Sequence, residues 1–102
     1  MNADGASDHA MADGVEFWDL RLYVIGRSSK SLRAAANLKQ LCEKNLTGRY
    51  EMQVIDLAEN PSLATSENIV ATPTLVRRLP PPVRKLIGDL SDTERLLVFL
   101  RS

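Results

Sequence analysis

The 102-residue chain contains one cysteine, Cys42, and one histidine, His9. A lone cysteine excludes an internal disulfide, a CxxC redox centre and a cysteine-rich zinc site. His9 stands among scattered aspartates without a second histidine or a nearby cysteine, so no metal site is expected. Long apolar runs are also missing. No stretch of about 18 apolar residues occurs, and the N-terminus has neither basic residues nor an apolar h-region, which argues against membrane spanning and secretion and for a cytoplasmic protein. The chain has no GxxxxGK[ST] loop and no GxGxxG segment, so no nucleotide or other cofactor is expected, and any dependence on ATP must lie in a partner.

What is present is ordinary for a soluble globular chain: 44% hydrophobic and 25% charged residues, enough for one core of two packed layers. The formal charge of zero hides an asymmetry. Residues 1–17 carry Asp4, Asp8, Asp13 and Glu16 with no Lys or Arg, a charge of −4. Residues 18–102 hold all 13 basic residues and nine of the 13 acidic ones, a charge of +4. These cations form no dense stripe interleaved with aromatics, so nucleic acid is not an expected partner. The Ala-, Asp- and Gly-rich start has little to bury, and residues 1–17 read as a disordered acidic leader before a domain over 18–102.

Hydrophobic patterning divides the domain. Alternation from Leu20 to Gly26 predicts a strand. Ser28, Ser29 and Ser31 offer helix caps. Leu32, Ala35, Leu38, Leu41 and Cys42 then recur at helical spacing, with Arg33, Lys39, Gln40 and Glu43 opposite. Gly48 suits a left-handed position past the helix end, and residues 50–57 resume a β pattern, completing a βαβ unit. Asn60-Pro61 should cap a short helix over 62–68. Strands are expected over 71–79, interrupted early by Pro73, and over 83–87, joined by Pro80, Pro81 and Pro82. Gly88-Asp89 makes a turn, and Ser91 with Glu94 forms a capping box before Leu96, Leu97 and Leu100. The order β-α-β-α-β-β-α is that of a single α/β domain of thioredoxin-like fold.

That order raises disulfide exchange as a hypothesis, because Pro73 in Ala71-Thr72-Pro73-Thr74 resembles the cis-proline segment of thioredoxins. Where a nucleophilic cysteine would stand, the chain reads Gly26-Arg27-Ser28-Ser29-Lys30, and serine cannot replace a redox thiol. Cys42 lies on the apolar side of its helix and reads as core. Asp56, Asp89, Asp92 and Glu94 are split between elements or used as caps, so no catalytic residues and no enzyme activity are expected. Arg77-Arg78 and Arg84-Lys85 flank the prolines and suit either an anionic partner surface or an ordinary solvated strand face.

The stretch from Leu20 to Leu100 resembles the KaiB family of circadian-clock proteins. The resemblance is carried by Leu22-Tyr23-Val24 with Gly26, by Ser31 to Arg33, by Val54-Ile55-Asp56 and Asn60-Pro61, and by Ala71-Thr72-Pro73-Thr74-Leu75. Its strongest anchors are Leu79-Pro80-Pro81-Pro82-Val83-Arg84 and Ile87-Gly88-Asp89-Leu90-Ser91. The resemblance implies a non-catalytic regulator that binds the ring of a KaiC-like ATPase and modulates its access to other partners, a clock-output histidine kinase among them. It implies a partner face along the first helix and second strand, at Arg33 and Tyr50, with Glu51 and Gln53 departing from the family's usual small and basic residues. The runner-up is a thioredoxin-like adaptor in a histidine-kinase or stress-response pathway without clock function.

The resemblance also implies two folds, a thioredoxin-like monomer and an oligomeric alternative rearranged in the C-terminal half. The bonds preceding Pro73, Pro80, Pro81 and Pro82 isomerise over tens of seconds or longer, so exchange between the two should be slow. Gly88 and Asp89 lie in the same segment. Phe99 and Arg101 stand where typical members carry a glycine and an acidic residue. Both suit a helix, since glycine in a helix interior costs about 0.5 to 1 kcal/mol and a cation complements the last turn, so the thioredoxin-like state is expected to dominate.

Overall fold

The computed structural model describes residues 16–102, so most of the expected leader, with Asp4, Asp8, His9 and Asp13, lies outside the described residues. Seven elements follow in the order β1 (Trp18–Val24), α1 (Ser29–Asn45), β2 (Tyr50–Asp56), α2 (Ser62–Ser66), β3 (Thr74–Leu79), β4 (Arg84–Ile87) and α3 (Thr93–Arg101). The four strands form one sheet in the order β2-β1-β3-β4. β1 runs parallel to β2 and antiparallel to β3, which pairs antiparallel with β4. The expected β-α-β-α-β-β-α order is the one observed.

Alternation gives the sheet two faces with separate cores. Trp18, Leu20, Leu22 and Val24 of β1 join Leu75 and Leu86 against α1 and α3. On the other face Tyr23 and Val76 pack with Leu57, Ile69 and the short α2. β1 is one of the two interior strands and packs residues on both faces. It starts at Trp18, two residues earlier than its alternation indicates, because the Trp18 N–H donates to the Arg49 carbonyl (2.9 Å).

Three local readings are corrected. In α1 the buried stripe is Ser31, Ala34, Leu38, Leu41 and Cys42, whereas Leu32 is half exposed and Ala35 only partly buried. The Ser28 hydroxyl caps the helix through the Ser31 N–H (3.2 Å) and bonds the Ser31 hydroxyl (3.0 Å), which satisfies a serine on the inward side and turns Leu32 outward. Asn60 does not cap α2 through its side chain, which donates to the Asp56 carbonyl (3.2 Å). α3 is capped by Asp92, whose carboxylate accepts from the Arg95 N–H (3.1 Å), rather than by Ser91. The Ser91 N–H is taken by the Asp89 carboxylate (3.1 Å), so the capping position moves one residue along.

Gly48 has the expected positive φ (+75°) but sits two residues past the cap residue Leu46. The proline triplet forms the β3–β4 connection, and the bonds preceding Pro73, Pro80 and Pro82 are cis. Residues 96–100 are helical, which is the thioredoxin-like arrangement of the C-terminal half.

Candidate partner interface

Among the described residues β2 is an edge strand, paired with β1 on one side alone. Its side chains alternate, so Tyr50 and Val54 share the α1 side with Trp18 and Leu22, whereas Glu51 and Gln53 share the opposite side with Asp19 and Arg21. Glu51 and Gln53 are exposed. The Tyr50 hydroxyl donates to the Glu43 carboxylate on α1, and that bond is the main reason its pKa is pushed up to about 12. Tyr50 thus pins the start of β2 to the C-terminal part of α1.

Arg33 occupies the other flank of α1. Its guanidinium lies 3.6 Å from the Asp89 carboxylate, and Asn37, one turn on, donates to the Asp89 carbonyl (3.0 Å). The Asp89 carboxyl is held below the usual range first by the Ser91 hydroxyl and N–H, with Arg33 adding to the effect. Arg33, Tyr50, Glu51 and Gln53 therefore do not form one patch. The pair Glu51 and Gln53 share a sheet face, Tyr50 lies across the edge from them, and Arg33 borders the β4–α3 turn.

A feature missed in the sequence joins the helix to the edge strand. Leu32 (51% exposed) and Val54 (50% exposed) flank a shallow groove with Ala35 between α1 and β2, closed at one end by Gly26 and Asp56. The Asp56 carboxylate accepts from the Gly26 N–H (3.0 Å) and the Ala58 N–H (2.9 Å), and these bonds hold its pKa below the ordinary value. The seam was legible in principle: Leu32 and Ala35 are three apart on α1, and Val54 shares a strand face with Met52, two residues before it.

The paired bases divide between two environments. Arg77 is wholly buried rather than solvated, because its place on β3 is on the same side as Leu75, facing the core. Burial lowers its pKa and the neighbouring Arg84 lowers it further, while Glu16 opposes the shift. Arg78 pairs with Glu67 (3.6 Å), and the Lys85 ammonium donates to the Glu67 and Asn68 carbonyls (2.6 and 3.0 Å). The cations do not gather into a single basic site. Phe99 is buried on α3 and Arg101 is exposed in its last turn.

Nothing in this geometry places a thiol at a reaction centre. Ser28 and Ser29 occupy the turn into α1, and Cys42 is fully buried, its pKa pushed up to about 12 by burial and then by Glu43. The described residues include no helix long and apolar enough to cross a membrane. The sequence itself decides the family: the KaiB domain model matches residues 21–102. The chain belongs to the KaiB family. It is 53% identical over 81 residues to the circadian clock oscillator protein KaiB of Nostoc sp., covering 79% of this chain and 75% of that protein. It is 52% identical to KaiB1 of Synechocystis sp., covering 79% and 77%.

Solved structures show the fold that this KaiB-family chain shares. The N-terminal domain of Synechococcus elongatus SasA matches with a TM-score of 0.67 at 23% identity, covering 98% of both chains. Mitochondrial thioredoxin 3 from Saccharomyces cerevisiae matches with a TM-score of 0.67 at 16% identity, covering 82% of this chain and 76% of that one. The thioredoxin-like fold is thus present in a KaiB-family chain whose one cysteine is packed away from solvent.

Proposed function

We propose that this chain is a non-catalytic clock regulator that docks on the ring of a KaiC-like ATPase and alters which other proteins reach that ring. Membership of the KaiB family supports the clock role. The observation that carries the docking surface is the β2 edge with the Leu32–Val54 seam beside it, a strand that has one sheet neighbour among the described residues and lies next to exposed apolar side chains. Such an edge is a ready template for another chain. Tyr50 shares the seam's side of β2, Arg33 lies across α1 from the seam beside Asp89, and Glu51 and Gln53 lie on the far face of the strand, so contact with all four calls for a partner that wraps both the helix and the edge. The buried, high-pKa thiol supports a binding role over disulfide exchange.

Size-exclusion chromatography with a KaiC-type ATPase from the same genome, in the presence of ATP, tests the reading. Stoichiometric co-elution with the ring is the expected result. No complex at micromolar concentrations would overturn it and favour an adaptor of histidine kinases.

A further inference from the structure

Arginines from four parts of the chain meet at the end of the sheet where β1 begins. Arg49, in the α1–β2 connection, holds its guanidinium 5.8 Å from the centre of the Trp18 ring. Arg77 on β3 is in register with Leu20 on one side and with Arg84 of β4 on the other. The Trp18 indole N–H donates to the Leu100 carbonyl (2.7 Å), which sets Arg101, the last residue of α3, at the same end. Arg84 and Arg101 are exposed and form no ion pair among the described residues. The neighbouring acids are placed elsewhere. Glu43 accepts from the Tyr50 hydroxyl, and Asp19 and Glu51 lie on the sheet face opposite Trp18. The cations act on one another: Arg84 adds to the effect of burial in lowering the Arg77 pKa, and the acid that opposes the shift is Glu16. Glu16 is also the last acid of a segment that carries Asp4, Asp8 and Asp13 with no Lys or Arg.

We propose that residues 1–15 dock over this arginine end of the domain, with Asp13 and Asp8 meeting Arg49, Arg84 and Arg101. Charge and reach both match. Three strand spacings, about 14 Å, separate β2 from β4. Asp13 and Asp8 stand three and eight residues before Glu16, up to about 10 and 27 Å of extended chain, so the two acids can span that width. Exposed ion pairs are individually weak. Here the acids are tethered at Glu16, and a short tether presents them at an effective concentration on the order of millimolar. The leader then acts as a salt-sensitive cover that keeps other anionic chains from the basic end. The inference rests neither on the KaiC reading nor on the β2 seam.

Paramagnetic broadening on the full chain tests this, with a nitroxide placed at Ser7→Cys. Cys42 is buried, so the label goes to the new thiol. With the leader docked by its tether, the amide signals of Arg49, Val83, Arg84 and Arg101 are expected to lose at least about half their intensity at low salt. Signals of residues 58–66, at the other end of β2 and beyond, should lose less than about a tenth, and about 0.5 M salt should restore the first set. Asp4→Asn, Asp8→Asn and Asp13→Asn together, which leave the domain untouched, should also restore it, as should Arg84→Ser with Arg101→Ser. Broadening spread evenly over the surface, or none, would overturn the proposal. So would broadening that survives both salt and the Asn variant, which would mean apolar docking. Equal broadening of isotope-labelled chains mixed with spin-labelled ones would overturn it too, because the occupant would then be a second copy.

Discussion

The two edges of the sheet are built to opposite ends. β4 has four residues, starts one residue after the proline triplet, and carries Arg84 and Lys85, the latter drawn onto the carbonyls after α2. β2 has seven residues, no proline, and a partly exposed apolar seam at its flank. Short strands, prolines and charges are the usual means of blunting an edge against pairing. The fold therefore closes β4 and leaves β2 available, which is why the docking surface is assigned there even though Ile87 on β4 is as exposed as Val54.

Substitutions can break that contrast. The largest effect should come from the strand between the two sides: Leu22→Ala in β1 is expected to lower stability by about 2–5 kcal/mol in chemical denaturation, without favouring either edge. Val54→Asp should reduce affinity for a KaiC-type ring at least tenfold in a titration, while Ile87→Asp changes it less than about twofold, since a charge buried in an interface without a partner is strongly unfavourable. Arg33→Glu should weaken ring binding by a smaller factor and barely move the thermal midpoint, because an exposed ion pair with Asp89 contributes little to folding.

The smallest effect should be seen in acid. The Asp56 pKa lies below its ordinary value in the folded chain, so its bonds to Gly26 and Ala58 stabilise the fold above the unfolded pKa of 3.8 and are lost as pH falls through the lower folded value. Asp56→Asn should flatten the decline of the thermal midpoint below about pH 4. This would sharpen the comparison by showing that the closed end of the seam is a carboxylate-held turn. Alkali gives the converse: the Cys42 pKa is raised from 9.0 to about 12, so stability falls as pH climbs from 9.0 towards 12. A thiol reagent at pH 8 should leave the native chain unlabelled.

Element order, strand positions and the proline connection could be read from the sequence because each rests on a short-range pattern: alternation in β1 and β2, serine caps before α1, and prolines between β3 and β4. The misses turned either on a choice between neighbouring cap residues or on contacts distant in sequence. Leu32 and Ser31 differ by one position on α1, and only the Ser28 cap and the neighbouring Val54 decide which faces inward. Asp92 displaces Ser91 as the cap because Asp89 claims the Ser91 N–H. Arg77 looked like one of four solvated cations, although its position two residues after Leu75 marked it as inward-facing; the carbonyls that make its burial tolerable come from a helix more than twenty residues away. The candidate site was partly legible. Resemblance points to Arg33 and Tyr50, but that they lie on opposite sides of α1 follows from their partners Asp89 and Glu43.

The most direct test of the open-edge account is co-elution of the chain, Val54→Asp and Ile87→Asp with a KaiC-type ATPase and ATP on one size-exclusion column. The account predicts that the parent chain and Ile87→Asp travel with the ring and Val54→Asp does not. Binding of all three alike, or loss with Ile87→Asp and retention with Val54→Asp, would contradict it.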